Sequence, residues 1–297
     1  MKFLLLGRDG QVGRALGDLL PQYGETVALG RAEVNFEHPD QLTETIDREH
    51  PDVVVNAAAY TAVDAAEDNE DRAFGINARA VGAIGRAARK NGALVVHYST
   101  DCVFDGAVGC YQLETQATNP VSVYGASKLE GERLLGASGA DHLLLRVSWI
   151  YAERGRNFPL AVLRLAKERK ELTMVADEFG APTPASLVAL ASLEAIRQTV
   201  SDRSKSGLYH LAAAGSVSRH ELALYIVEAA LDAGASLALD MDKIRAITAE
   251  EHGARAKRPA NSRLDTTKFR ATFNAHLPPW QDGIRQLIKT LRARGDI

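Results

Sequence analysis

GRDGQVG, residues 7–13, is the stretch that decides the fold, and it directly follows the apolar run KFLLL at residues 2–6. The apolar run predicts a buried strand, and the apolar spacing after the glycines predicts a helix. A glycine-rich turn between a strand and a helix is the setting in which backbone N–H groups bind a dinucleotide pyrophosphate. We expect Gly7 to permit the tight turn, Gly10 to let the main chain approach the pyrophosphate, and Gly13 to let the helix pack against the strand.

The same alternation of short apolar runs and helical patterns continues through the first half of the chain. The predicted strands are residues 2–6, 26–29, 52–58, 93–99 and 142–148, and the predicted helices are residues 11–20, 39–49, 67–90 and 123–135. This order predicts an α/β fold with a Rossmann-type, doubly wound parallel sheet and right-handed crossovers. Ligands of such a sheet bind outside the carboxyl ends of its strands.

The regular alternation of predicted strands and helices ends after residue 150. We predict a dinucleotide-binding domain at residues 1–150 and a smaller, mainly helical substrate-binding region at residues 151–297, with segments near 185–215 returning to the first domain. The second region contains predicted helices at 157–170, up to 200 and from 280 onward, and a predicted strand at 208–212.

Composition excludes several classes of protein. The chain has 297 residues, 46% of them hydrophobic and 25% charged, so it is neither disordered nor collagen-like. A net charge of −3 disfavours nucleic acid as a partner. Two cysteines are too few for a disulfide framework. We see no signal peptide and no apolar run of about 18 residues, so we expect no membrane span and a cytoplasmic location.

The second predicted strand ends in Leu29, Gly30 and Arg31. An acid at this point of a dinucleotide-binding fold favours NAD, whereas a base accommodates a 2′-phosphate. Arg31 therefore predicts a preference for NADPH, although it could also be a solvated surface arginine. Asn35 and Phe36 follow closely enough to border the adenine. The small residues at 56–61 suit a cofactor that crosses close to the main chain, or else pack beneath a helix.

Tyr124 and Lys128 lie four residues apart near the start of a predicted helix, so their side chains share one face. An ammonium beside a phenol stabilises the phenolate, so we expect the pKa of Tyr124 to fall toward neutrality. Such a tyrosine can donate a proton to a carbonyl oxygen as hydride reaches the carbon. Tyrosine and lysine at this spacing also occur in many helices with no catalytic role.

HYSTDCVFDG at residues 97–106 ends the fourth predicted strand, at the edge where ligands bind. The hydroxyl of Thr100 can share a substrate oxygen with Tyr124, and Asp101 can accept hydrogen bonds from substrate hydroxyls. A helix cap or turn would use the same two residue types. We interpret His97 and His210 as core histidines. No residues have metal-ligand spacing, and no G-x-S-x-G elbow is present for a serine triad.

Seven segments together resemble the dTDP-4-dehydrorhamnose reductase family, of the extended short-chain dehydrogenase superfamily. They are GRDGQVG, VNAAAYTAVDAAE, HYSTDCVFDG, VYGASKLEGE, RVSWIYA, FGAPT and RPANSRLDTTKF, and they span nearly the whole chain. The resemblance implies that Tyr124 donates the proton, that Lys128 binds the nicotinamide ribose, and that Thr100 binds the 4-keto oxygen. It also implies that Asp101 and Trp149 border the sugar.

The resemblance also implies which residues bind the cofactor, NADPH, with NADH accepted as well. These residues are Gly10, Gln11, Val12, Ala59, Tyr60, Thr61 and Tyr98, with Asn35 and Phe36 at the adenosine end. In the polar loop at residues 255–263, Arg258 is a candidate for a charge-assisted contact with the pyrophosphate of the nucleotide sugar, or else belongs to a solvated loop.

This chain departs from the family at several positions. Cys102 replaces the usual tyrosine, one residue beyond the catalytic pair of Thr100 and Asp101. Some members hold magnesium between subunits through glutamates, and the matching positions here are Ala15, Ser186 and Thr290. Magnesium is therefore left open, and a homodimer is expected only as the commonest oligomer.

The function implied by the resemblance is reduction of dTDP-4-dehydro-β-L-rhamnose to dTDP-β-L-rhamnose, the last step of dTDP-L-rhamnose synthesis. Two alternatives remain open from the sequence. The first is a nucleotide-sugar epimerase, dehydratase or other reductase of the same fold. The second is a non-catalytic regulatory subunit that keeps the NADP-binding residues.

Overall fold

In this computed structural model, which describes residues 1–297, strands and helices alternate along the chain. The strands are β1 (Lys2–Leu6), β2 (Glu25–Leu29), β3 (Val53–Asn56), β4 (Leu94–Thr100), β5 (His142–Val147), β6 (Ile150–Tyr151), β7 (Leu172–Val175), β8 (Phe179–Gly180), β9 (Thr183–Pro184), β10 (Gly207–Leu211), β11 (Val217–Ser218) and β12 (Ile244–Ile247). The α-helices are α1 (Gln11–Leu19), α2 (Pro39–Glu49), α3 (Val63–Ala66), α4 (Glu70–Phe74), α5 (Ala80–Asn91), α6 (Val123–Ala137), α7 (Phe158–Glu168), α8 (Ala185–Ser201), α9 (Arg219–Asp232), α10 (Ala249–His252), α11 (Thr267–Phe273) and α12 (Trp280–Arg294).

Six strands form the central sheet in the order β2-β1-β3-β4-β5-β10, and every neighbouring pair is parallel. Parallel strands need crossover connections, which helices supply on both faces of the sheet. The chain leaves β1 in one direction to β2 and then returns to the other side at β3. Such a change of direction opens a crevice at the carboxyl ends of β1 and β3. The predicted doubly wound sheet is confirmed.

Three large hydrophobic clusters stabilise the chain. Two of them, of 23 and 18 buried residues, include side chains of the central sheet. The third, of 20 buried residues, lies among α7, α9, α12 and the strands around them. Within the second half, α8 packs on α1 and β10 extends the central sheet. These clusters support the division into two domains near residue 150, which stays a prediction.

The structure differs from the predicted elements in two ways. The helix predicted at residues 67–90 begins at Glu70 and contains a π-helical turn, Gly75–Arg79, between α4 and α5. A π turn adds one residue without breaking the apolar pattern, so periodicity does not reveal it. Three small two-stranded sheets, β6 with β9, β7 with β12, and β8 with β11, were not predicted. Strands of two to four residues are too short to show alternation.

The longest helix is α8, with 17 residues. None of the helices combines the length and the apolar character needed to cross a bilayer.

Candidate active site

The turn between β1 and α1 forms a cradle of backbone. Gly7 has a φ of +86°, and a Cβ there would lie 2.6 Å from the backbone nitrogen of Ala58, at the end of the neighbouring β3. A Cβ on Gly13 would lie 2.8 Å from the carbonyl carbon of Gly7. At Gly10 a Cβ would meet nothing closer than 3.4 Å, and no side chain caps α1. The turn therefore has the open N-terminus and close packing that a pyrophosphate-binding turn requires.

The end of β2 carries more charge than the sequence of residues 29–31 suggested. The carboxylate of Glu33 accepts hydrogen bonds from the Gly30 backbone (2.9 Å) and from Arg8 Nη2 (2.5 Å). The Asp9 carboxylate also lies against Gly30. Arg31 is exposed and makes no hydrogen bond or ion pair. The carboxylates of Glu33 and Asp9 therefore lie beside Gly30, where we expected no acid. The loop after β2 brings Glu33 there, and the turn after β1 brings Asp9.

Asn77, which lies in the π-helical turn, fixes the segment after β3 by hydrogen bonds. Asn77 Oδ1 accepts a hydrogen bond from the Tyr60 backbone at 2.8 Å, and Nδ2 donates to the Tyr60 carbonyl at 3.0 Å. Nδ2 also donates to Ser127 Oγ on α6 at 3.0 Å. This amide joins the predicted cofactor-binding residues Ala59, Tyr60 and Thr61 to the helix that carries Tyr124. Sequence reasoning missed Asn77 because only the π turn aims it at both elements.

The remaining predicted cofactor residues differ in exposure. Phe36 is only 8% exposed and packs in a hydrophobic cluster, whereas Asn35 is half-buried and accepts a hydrogen bond from the Glu37 backbone. Gln11 accepts a hydrogen bond from Asn157 at 3.1 Å. Val12 is half-buried beside the first cluster. Direct contact of these side chains with a cofactor stays a prediction.

Lys128 is buried, and its amine points to β4. Nζ donates to the Tyr98 carbonyl at 2.6 Å and lies 3.2 Å from His97 Nε2. The Tyr98 hydroxyl donates to Ser192 of α8 at 2.9 Å, so the tyrosine ring belongs to the core between sheet and helix. The structure thus gives Tyr98 a backbone contact with Lys128. Contact of its side chain with a cofactor, as the resemblance implies, stays a prediction.

Tyr124 and Thr100 come together where α6 begins and β4 ends. Burial raises the pKa of Tyr124, and the hydroxyl of Thr100 opposes this rise. This direction differs from our expectation that Lys128 lowers the pKa, because burial disfavours the phenolate more strongly. Tyr124 is therefore protonated near neutral pH, which is the form that a proton donor needs.

Asp101 is buried beside Thr100. Its carboxylate accepts hydrogen bonds from Thr100 Oγ1 (2.9 Å) and Ser148 Oγ (2.7 Å). Burial raises the pKa of Asp101, whereas the hydrogen bonds act against the rise. Burial and the Asp101 charge raise the pKa of the Cys102 thiol, so this cysteine stays protonated as well. The carboxylate orients Thr100, and Cys102 brings no ionised group to the site.

A buried ion pair fixes α6 on the sheet. Arg146 of β5 donates to both carboxylate oxygens of Glu132, at 2.9 and 2.6 Å, and both side chains are less than 10% exposed. Ser99 of β4 donates to the same carboxylate. Glu132 lies one helical turn beyond Lys128, so this ion pair fixes the position of α6, which carries Tyr124, on β4 and β5.

Trp149 lies against Gly180 and Arg219, and its place at the border of the sugar, as the resemblance implies, stays a prediction. Its φ of +44° is rare for a bulky residue, and a Cβ on Gly180 would lie 2.6 Å from the indole Nε1. The guanidinium of Arg219 lies 3.8 Å from the centre of the indole, within cation–π range. Arg219 pairs with Glu178 at 3.5 Å and makes no hydrogen bond that would occupy its terminal nitrogens.

Sequence reasoning missed Arg219. The sequence SRHE at residues 218–221 is a capping-box pattern and marks a helix start, and the capping box of Ser218 and Glu221 is indeed present. Nothing in the sequence shows that this helix start lies close to Trp149 and to Asp101. The negative charge of Asp101 acts to raise the pKa of Arg219. The antiparallel pairing of β11 with β8 brings the start of α9 close to Trp149.

Arg258 lies on a loop that docks against α3. Its Nη2 donates to Asp64 at 2.8 Å, and the same carboxylate accepts a hydrogen bond from the Ala256 backbone at 3.1 Å. About a quarter of the Arg258 side chain stays exposed. Arg258 and Arg219 are close enough for their charges to repel. An anion between them would relieve this repulsion.

No group of three or more metal-ligand side chains is clustered in the structure. Ala15 and Ser186 line a groove of about 940 Å³ between α1, α8 and α12. Thr290 lies on α12, which is one wall of that groove. None of these three side chains carries a carboxylate, so the glutamate site implied for some family members has no counterpart at these positions.

Comparisons with known proteins bear on the site as a whole. A family model described as the RmlD substrate binding domain matches residues 1–293. The dTDP-4-dehydrorhamnose reductase of Shigella flexneri is 44% identical over 98% of each chain. The crystal structure of a dTDP-4-dehydrorhamnose reductase from Bacillus anthracis in complex with NADP superposes with a TM-score of 0.89 at 29% identity, covering 97% of this chain and 99% of the other. The crystal structure of the orthologue from Clostridium acetobutylicum superposes with a TM-score of 0.90 at 29% identity, covering 98% of this chain and 100% of the other.

Proposed function

The chain belongs to the RmlD substrate binding domain family, that of the dTDP-4-dehydrorhamnose reductases, and on this premise we propose that it reduces dTDP-4-dehydro-β-L-rhamnose to dTDP-β-L-rhamnose. The observation that carries the proposal is the meeting of protonated Tyr124 with Thr100 at the end of β4, at the same edge of the parallel sheet as the glycine cradle that follows β1. A proton donor and a second hydroxyl at one point suit a carbonyl oxygen that gains charge as it is reduced.

The residues of the first domain fit a dinucleotide. The backbone of Gly7, Gly10 and Gly13 would hold the pyrophosphate at the start of α1, where a partial positive charge favours anions. Lys128, with a free N–H beyond its bond to Tyr98, would bind the nicotinamide ribose. NADPH supplies the hydride when bound.

The protein's own groups complete the reaction. Tyr124 donates its proton to O4 of the sugar, and Thr100 orients that oxygen by a hydrogen bond. The single hydroxyl proton of Thr100 is donated to Asp101 at 2.9 Å before the sugar binds, so this hydroxyl must rotate to donate to O4 instead. Trp149 covers the sugar and excludes water from the reacting carbon, which strengthens the hydrogen bonds to O4.

We assign the diphosphate of the nucleotide sugar to Arg258, with Arg219 as a second cation. Both arginine side chains are about a quarter exposed, and each has one carboxylate partner. Two arginines with one carboxylate each leave room for charge-assisted hydrogen bonds to a dianion. Arg258→Ala should raise the KM of the nucleotide sugar more than the KM of NADPH.

An NADPH-oxidation assay with a panel of nucleotide-linked 4-keto sugars tests the function. The reductase consumes one NADPH per sugar, and the dTDP-linked substrate should have the highest kcat/KM. An epimerase or dehydratase regenerates its cofactor in each turnover, so product without net NADPH consumption would support that alternative. Binding of NADPH without turnover of any sugar would support a regulatory subunit.

A homodimer is part of the proposal only as the commonest oligomer, and sedimentation equilibrium measures it. The groove that contains Ala15 and Ser186 is the face on which substitutions would change the result. Because no carboxylates replace the family's glutamates, we expect added magnesium to leave the measured mass unchanged. A magnesium-dependent dimer would contradict this expectation.

A further inference from the structure

Three carboxylates on one short segment connect parts of the site that are far apart along the chain. The segment, residues 63–68, consists of α3 and the two residues after it, and we call it the α3 segment. Asp64 and Asp68 contact the loop that carries Arg258, and Glu67 contacts the start of α6. The reaction described above uses none of these three carboxylates.

Asp64 fixes Arg258 with both of its carboxylate oxygens, one directly and one through the backbone of the loop. Oδ2 accepts a hydrogen bond from Arg258 Nη2 at 2.8 Å, and Oδ1 accepts one from the Ala256 backbone at 3.1 Å. Arg258 Nη1 in turn donates to the Ala256 carbonyl at 3.3 Å. One carboxylate therefore holds both the guanidinium and the main chain beside it. The remaining N–H groups of Arg258 are still able to bind an anion.

This end of the loop depends on the α3 segment for its position. The hydrogen bonds that residues 255–258 make outside their own stretch all go to Asp64 and Asp68. The pair of Asp68 with Arg255 is at least half exposed on both sides, so it stabilises the loop only weakly. Burial acts to raise the pKa of Asp64, but its hydrogen bonds from the arginine and the backbone outweigh burial and lower it. Asp64 is therefore ionised at neutral pH.

Glu67 fixes the other end of the α3 segment to the catalytic helix. Its Oε1 accepts a hydrogen bond from the Val123 backbone at 3.0 Å. Val123 is the first residue of α6, where backbone N–H groups have no partner within the helix and a partial positive charge favours a carboxylate. Tyr124 is the next residue. Because Glu67 lies only three residues after Asp64, the α3 segment joins the proton donor to the loop of Arg258.

A nucleotide sugar must reach two points of this enzyme at once, with its diphosphate at Arg258 and its 4-keto oxygen at Tyr124. We propose that Asp64 and Glu67 are positioning residues that set the distance between these two points through the α3 segment. The proposal rests on the reductase function above and deepens it, because it states how the enzyme selects a sugar that is linked to a diphosphate. Asp64 acts through Arg258 on binding, whereas Glu67 acts through Tyr124 on proton transfer.

Binding of dTDP, measured by isothermal titration calorimetry, tests the role of Asp64 without any turnover. Asp64→Asn keeps one oxygen, which can accept from the Ala256 backbone, but its NH₂ group then faces Arg258 as a second donor. Arg258 loses its fixed position, so we expect the Kd of dTDP to rise by about fivefold. The KM of the nucleotide sugar should rise equally, and kcat should stay unchanged.

An unchanged or lower Kd in folded Asp64→Asn would overturn the proposal, since a lower value would show that Asp64 competes with the diphosphate for Arg258. Both results would leave the reductase function standing. Failure of the wild-type protein to bind dTDP at all would overturn that function together with the proposal.

Two further variants show whether Asp64 acts through Arg258. Adding Asp64→Asn to Arg258→Ala should cause no further rise in the Kd of dTDP, because the residue through which Asp64 acts is already gone. Independent effects that multiply would contradict the proposal. Asp68→Asn is the matched control, because it removes the same charge and the other carboxylate contact with the loop but leaves Arg258 in place. Its Kd should stay within about twofold of wild type. An equal rise in this control would mean that a general loosening of the loop explains the result, and the proposal would fail.

Glu67→Ala tests the connection to Tyr124. We expect kcat to fall by about tenfold while the Kd of dTDP is unchanged, because the start of α6 loses its carboxylate partner and Tyr124 its exact position. Glu67→Gln should recover most of the activity, since its amide oxygen still accepts from the Val123 backbone. A combined loss of dTDP binding and kcat in Glu67→Ala, or an equally low kcat in Glu67→Gln, would overturn the proposed role of Glu67. Circular dichroism establishes that each variant folds, and if Glu67→Ala does not, the Asp64 variants decide alone.

Discussion

Replacing Gly180 by alanine should damage sugar binding and leave cofactor binding intact. A Cβ at this position would lie 2.6 Å from Nε1 and 2.8 Å from Cδ2 of the Trp149 indole. Non-bonded heavy atoms are most stable at roughly 3.5–4.0 Å, so the indole must move by about 1 Å. Arg219, 3.8 Å from the ring centre, would have to move with it.

The expected loss follows from that displacement. Misplacing a group that positions the substrate by about 1 Å costs on the order of 10²-fold in rate, which corresponds to about 2.7 kcal/mol. We expect kcat/KM for the nucleotide sugar to fall by roughly 10- to 100-fold. The KM of NADPH should stay unchanged, because the glycine cradle follows β1 and lies in the predicted first domain. Steady-state kinetics with each substrate varied in turn measures both values.

Gly136→Ala provides the matched control, since a Cβ there would meet nothing within 4 Å. Alanine favours a helix over glycine by up to about 1 kcal/mol, so this variant should be fully active and no less stable. Circular dichroism establishes that both variants fold. Wild-type kcat/KM in folded Gly180→Ala, or an equal loss for NADPH, would refute the placement of Trp149 against the sugar.

Four further substitutions test other parts of the site. Tyr124→Phe keeps the ring and removes the proton, so kcat should fall by about 10² or more while the Kd of NADPH, measured by fluorescence titration, is unchanged. Arg31→Ala should raise the KM of NADPH by about fivefold and leave that of NADH unchanged, because an exposed arginine contributes about 1 kcal/mol to a phosphate contact. Glu33→Gln should shift the preference toward NADPH, and kcat/KM ratios for the two cofactors report both changes. Glu132→Gln leaves Arg146 without its buried carboxylate, so urea unfolding should show a loss of about 3–5 kcal/mol.

Much of the site could be predicted from sequence because its signals are local. The strand, turn and helix around Gly7 and Gly13 all lie within residues 2–19, and helical spacing alone places Tyr124 and Lys128 on one face. Thr100 ends a strand that begins with the apolar run at residues 94–96, which marks it as a residue of the ligand-binding edge. These inferences need only the periods of the two regular structures.

The direction of the pKa of Tyr124 could not be predicted in the same way. Helical spacing places a cation nearby but says nothing about desolvation, and in the structure burial outweighs every other influence on this phenol. The amine of Lys128 bonds to β4 instead. Burial depends on how α6 packs on the sheet, and that packing is set by Glu132 and by residues of β4 and β5.

The sequence by itself determined the alternation of strand and helix, the dinucleotide turn and the presence of a Tyr-Lys pair, because each depends only on residues that are close together in the sequence. Only the tertiary structure decided that Arg219 stacks on Trp149, that Glu33 and Asp9 stand beside Gly30, and that a histidine faces Lys128. Those contacts join segments up to about 70 residues apart through strand pairing and crossovers. No local period encodes the register of such pairings, since burial of the whole apolar surface selects it.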